Sequence, residues 1–154
     1  MRRFLTALIL CLGTAAAAEM APREGWSVLP TTKTHATLLA DLKKAVKANG
    51  MGVVTQAGPT GTARKRGIDI PENRVVGVFN NDFAVRILAL STPAMIEAPI
   101  RFYVTENADG TATLSYKTPA FVFAPYVAEA GPELEAAAAD LDARFAKIAK
   151  AAIN

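Results

Sequence analysis

Leu134, Ala138, Leu141, Phe145, Ile148 and Ala152 recur at alternating steps of four and three residues, so they stack along one side of a helix, and that side has to be buried. Pro132 suits the first turn because its missing N–H is no loss there, and Glu133 meets the positive end of the helix dipole. The spacing therefore predicts a helix over 132–152. Its stripe has two uses, packing on the chain's own sheet or forming a seam between two copies, although it is short for a free-standing coiled coil. Residues 100–117 supply a surface to pack on. Ile100, Phe102 and Val104 alternate with Arg101, Tyr103 and Thr105, Asn107 to Gly110 turn the chain, and Ala112, Leu114 and Tyr116 share a face of the returning arm. A hairpin with one apolar face and a helix with one apolar stripe are the two layers of an α+β domain.

The remaining elements follow the same logic. Leu38, Leu39, Leu42, Ala45 and Val46 fall at helical spacing over 34–49, and Asn49-Gly50 ends that helix. Met51 to Ala57 reads as a strand, and Thr62 to Arg66 as one helical turn. The run Val75, Val76, Gly77, Val78, Phe79 reads as a strand buried on both faces. Asn80, Asn81 or Asp82 can cap the next helix, whose buried stripe is Phe83, Ala84, Ile87 and Leu88 and which Pro93 stops. The expected architecture is a single two-layer α+β domain over 31–154: a mixed or antiparallel sheet, helices packed on one face, and a C-terminal helix. With 51% hydrophobic and 20% charged residues the chain is not disordered. Its length allows a core that needs no metal or disulfide staples.

The amino terminus carries an address. Arg2 and Arg3 precede the apolar run Phe4 to Gly13, and Ala15 to Ala18 supply the small residues of a cleavage site. This is the pattern of a secretory signal peptide over 1–18, since the apolar run falls well short of the roughly 20 residues that span a bilayer. Cys11 leaves with it, and the mature chain is expected to be periplasmic or secreted, with no stable membrane span. Residues 19–30, with Pro22, Gly25 and Pro30, read as an exposed lead-in in which Trp26 can pack back on the domain. Loss of Arg2 and Arg3 lowers the formal charge from +3 to +1. A balance so near neutral excludes nucleic acid as the partner class. With no cysteine left, thiol chemistry and cysteine-based metal sites are excluded as well.

Three stretches carry a likeness. These are Ala45-Val46-Lys47-Ala48-Asn49-Gly50 ahead of a strand, Ala98-Pro99-Ile100 at a strand's entry, and Asp109-Gly110 followed by Leu114-Ser115-Tyr116 and Pro119. In that order and spacing they resemble the bacterial family catalogued as domain of unknown function 302, over residues 31–128. The resemblance implies a small α+β domain with helices on one face of a mixed sheet, and it implies no activity. It also implies polar residues and a histidine after the hairpin, where this chain has Lys117, Thr118, Phe121, Phe123, Pro125 and Tyr126.

Catalytic sets are missing. His35 is the one histidine and cannot make a zinc site alone, so it reads as a surface or capping residue. No Gly-x-Ser-x-Gly is present, and Gly58 to Arg64 lacks the lysine and the spacing of a phosphate-binding loop. No catalytic residue, metal or cofactor is expected. Arg64, Lys65 and Arg66 beside Gly61-Thr62 are candidates for holding a carboxylate or phosphate, as are Arg86 and Arg101, although each also reads as a solvated cation. The stretch Phe121 to Val127 has three aromatics and no charge. It either covers the core or forms a patch rimmed by the hydroxyls of Tyr103, Tyr116 and Tyr126. These features predict a non-catalytic binding or accessory module for a small anionic or amphipathic ligand, its groove between the hairpin and the aromatic stretch. The alternatives are a small periplasmic enzyme using His35 or a tyrosine as acid or base, and a structural subunit, such as a homodimer, acting through a hydrophobic interface.

Overall fold

A computed structural model describes residues 20–154; the expected signal peptide, with Cys11, lies outside the described residues. The elements run β1 (Trp26–Pro30), α1 (His35–Ala48), β2 (Gly52–Ala57), α2 (Thr60–Lys65), β3 (Asn73–Phe79) and α3 (Asn81–Leu90). A 3₁₀ turn (Pro93–Glu97), β4 (Ile100–Glu106), β5 (Ala112–Lys117), α4 (Pro119–Ala130) and α5 (Pro132–Ile153) follow. The sheet has the order β1-β5-β4-β3-β2, and every neighbouring pair is antiparallel. The α+β fold is thus as expected, with no parallel pair in the sheet.

Register decides which side is core. Phe102 faces Val76 on β3 and Tyr116 on β5, so Val76, Val78, Ile100, Phe102, Val104, Leu114 and Tyr116 share the inner face, and all are buried. Leu38, Leu42 and Val46 of α1 and the whole α5 stripe close over them. At the centre Phe145 stacks on Phe102, with ring centroids 4.6 Å apart and planes 14° from parallel. Tyr116 stands 5.1 Å from Phe102 and 5.6 Å from Phe145. The α5 stripe is used up within its own chain and offers no seam to a second copy.

Several local expectations change. Residues 26–30 are not an exposed lead-in: they form β1, an edge strand paired with β5 from Trp26 opposite Lys117 to Pro30 opposite Thr113. A proline at the end of an edge strand interrupts nothing that a neighbour needs. The aromatic stretch after the hairpin is the helix α4, with Pro119 in its first turn and Thr118 Oγ1 accepting the Phe121 N–H at 3.4 Å. It both covers and exposes, since Phe123 is buried and Phe121 is 42% exposed. Leu88 is exposed and Ile87 is buried, because the stripe of α3 runs through Phe83, Ile87 and Leu90. β3 is not buried on both faces along its length, since Val75 and Phe79 are half-buried; only at Gly77 is the outer side buried as well. A Cβ there would lie 2.2 Å from Thr55 Oγ1 and 3.0 Å from Pro99 Cγ, so the outer face is closed over at that point.

Candidate functional site

The outer face of the sheet carries the alternate residues: Trp26 and Val28 on β1, Ser115 and Lys117 on β5, Arg101 and Tyr103 on β4, Val75 on β3. Where β4 starts and β5 ends, a groove of about 240 Å³ lies at the end of the sheet, bordered by Glu97 of the 3₁₀ turn and Val122 of α4. Trp26, Val75 and Tyr103 of the outer face, Ile100 and Tyr116 reaching its floor from the inner face, and Val122 of α4 make its apolar wall, and Arg101, Lys117 and Glu97 are its charged groups.

The charges are arranged unusually. Because Phe102 pairs with Tyr116, the next residues outward, Arg101 and Lys117, stand side by side on adjacent strands. Like charges in that relation repel, and among the described residues neither has an ion-pair partner. Lys117 is held by rings instead, its Nζ 5.8 Å from the centroid of Trp26 and 6.0 Å from that of Phe121. Arg23 also lies over Trp26, at 5.2 Å. Glu97 is held in place at the groove, since the Tyr126 hydroxyl donates to its Oε1 at 2.9 Å. That bond to a carboxylate raises the phenol's pKa and keeps it protonated. Tyr116 is clamped by Phe102 and Phe145 and only 6% exposed. Ser115, between Val28 and Tyr103 in the register, is fully buried and its Oγ has no partner.

The family model of Domain of unknown function DUF302 matches residues 28–152. The chain belongs to the DUF302 family. The match extends past the 31–128 suggested by the three stretches, taking in most of β1 and nearly all of α5. The crystal structure of an uncharacterized conserved DUF302 protein from Bacillus stearothermophilus is similar, with a TM-score of 0.75 and 20% identity. The alignment covers 86% of this chain and 100% of that one, a likeness of fold. No curated protein matches the chain.

In this DUF302 domain the residues singled out from sequence separate. Arg101, Tyr103 and Tyr116 line the groove, and Tyr126 acts on it through Glu97. Arg64 is paired with Glu72 at 2.7 Å and shares the short α2 region with the exposed Lys65 and Arg66. Arg86 is bonded to Asp140, tying α3 to α5. Neither group lines the groove. Trp26, Val75, Glu97, Ile100 and Lys117 are lining residues that the sequence did not single out as site residues, whereas Val122 belongs to the stretch 121–127 that it did.

His35 is neither a surface residue nor a cap. Thr34 is the N-cap, and His35, in the first turn of α1, exposes only 7% of its surface. Its Nε2 is buried without a partner. Burial pushes its pKa below the usual value near 6.5, and Arg74 adds to this; Glu72, Glu106 and the Val104 backbone oppose it but do not prevail. The unfolded chain therefore takes up this proton at a higher pH than the folded one. The contribution is complete above about 6.5 and declines as pH falls through that value toward the folded pKa. Urea unfolding between pH 7.5 and 5 should show the native protein losing stability relative to His35→Gln; parallel profiles would remove His35 as the cause.

Proposed function

We propose that the protein is an exported, non-catalytic binding module that takes a small anionic or amphipathic ligand in the groove between the β4–β5 hairpin and α4. The observation that carries this is the neighbouring pair Arg101 and Lys117, two cations without a counter-ion among the described residues, beside an apolar wall. An anion lying between them relieves their repulsion, and the wall takes up the apolar part of the same molecule. Two cations are a head-group site and fall far short of the stripe that nucleic acid requires. Export is supported by the basic start, short apolar run and alanine-rich end of residues 1–18. Among the described residues no helix is long and apolar enough to cross a membrane.

Thermal unfolding tests the binding. A ligand at tenfold its dissociation constant stabilises by about 1.4 kcal/mol, or roughly 3–6 °C for a domain of this size. A panel of small carboxylates and phosphates is expected to contain members giving that shift in the native protein and little in Arg101→Gln/Lys117→Gln. Equal shifts in both proteins would remove the groove as the site. N-terminal sequencing of protein from the periplasmic fraction should begin at Glu19; an intact Met1 there would remove the cleavable signal.

A further inference from the structure

We infer that the ligand of this groove is a single-ring aromatic monocarboxylate, its carboxylate on Arg101 and Lys117 and its ring against Trp26 and Tyr103. The inference rests on the groove being a binding site, as proposed above, and assigns its chemistry.

The head group follows from the donors on offer. A phosphate is commonly cradled by backbone N–H groups at a helix start, and α4 begins beside this groove with its first donors already used. Pro119 has none, Ala120 N donates to Asp142 Oδ1 at 3.2 Å, Phe121 N to Thr118 Oγ1 at 3.4 Å, and Val122 N to Thr118 O at 3.0 Å. Recognition is left to side chains. A guanidinium fork beside an ammonium that Trp26 and Phe121 hold in place suits the two oxygens of a carboxylate.

The rest of the molecule follows from the walls. Trp26 and Tyr103 present two rings from the outer face of the sheet, and aromatic pairs gain beyond simple area burial. About 240 Å³ is below the roughly 300–1,000 Å³ of pockets that take drug-sized ligands, so the space suits one ring with its head group. Glu97 sets the charge. Tyr126 holds it facing the groove through Oε1, while Oε2 has no partner among the described residues. It repels a second negative charge at that end and accepts a hydrogen bond from a hydroxyl or amine placed there.

Trp26 is the only tryptophan in the chain, so its fluorescence reports on this groove directly. Titrations of the full chain would use 4-hydroxybenzoate, benzoate, terephthalate, hexanoate and phenyl phosphate. 4-Hydroxybenzoate is expected to bind most tightly and terephthalate at least tenfold more weakly. Glu97→Gln should narrow that gap, and Arg101→Gln should weaken 4-hydroxybenzoate roughly tenfold or more. If hexanoate or phenyl phosphate binds more tightly than both benzoates, the aromatic carboxylate assignment is overturned while the groove stands as a site. If none of the five changes Trp26 fluorescence or the unfolding temperature, this assignment is overturned; if the wider anion panel is also inert, the binding-module reading fails with it.

Discussion

Replacing Phe145 by alanine is expected to destabilise the protein by about 3–5 kcal/mol and to weaken ligand binding, although Phe145 does not line the groove. The side chain is fully buried, stacked on Phe102 at 4.6 Å and leaning on Tyr116 at 5.6 Å. Removing it leaves a cavity between α5 and the inner face of the sheet, and rigid strands close such a space poorly. The unfolding temperature should fall by roughly 10 °C or more. Tyr116 then loses one of the two rings that hold it, and Tyr116 is also part of the groove wall. Phe145→Leu keeps most of the volume and should cost under about 2 kcal/mol. Urea unfolding of the two variants checks the first claim, and titration with 4-hydroxybenzoate under native conditions checks the second. A loss below 1.5 kcal/mol in Phe145→Ala would mean that α5 and the sheet are less tightly packed than the ring stack implies.

The parts of this fold that can be read from sequence are those where one side of an element is wet. The α5 stripe and the β4–β5 hairpin separate polar from apolar residues at a clear period, and both stand where the period places them. α4 has no such contrast: Phe121, Val122, Phe123, Ala124, Pro125 and Tyr126 are unsorted by polarity, and an internal proline argues against a helix. β1 has five residues between Gly25 and a terminal proline, too few to display a period. At the site, Arg101 and Tyr103 share a face by simple alternation, so their company was legible. Lys117 was not, because a one-residue slip in the hairpin would turn it to the other side. That register is set by the loop in which Asn107 N donates to Thr111 O at 2.8 Å. Trp26 comes from a distant strand, which no local pattern connects to the hairpin. The run Arg64-Lys65-Arg66 misleads for the opposite reason, since Glu72, eight residues on, already neutralises its first member.

Gly25→Ala is the second large effect, expected to cost about 2–5 kcal/mol at a position outside the core. Gly25 has φ of +71°, where an L side chain costs roughly 1–2 kcal/mol. A Cβ there would also lie 2.1 Å from the ring of Phe121, an overlap of the kind that adds about 1–3 kcal/mol. The same residue fastens two elements, because its carbonyl accepts Thr118 N at 2.9 Å and Thr118 Oγ1 at 3.3 Å. Forcing Gly25 away from Phe121 therefore pulls the start of β1 from the start of α4. It carries Trp26 out of the groove and deprives Lys117 of the rings that hold it. Phe121 is 42% exposed, so Phe121→Ala alone should cost little, and adding it to Gly25→Ala should recover the overlap while leaving the cost of the backbone angle. The double-mutant cycle is expected to give a coupling of about 1–3 kcal/mol, with the Trp26 emission of the double variant returning toward the native spectrum. Strict additivity would show that the ring moves aside freely, and the groove would then owe its shape to the sheet alone.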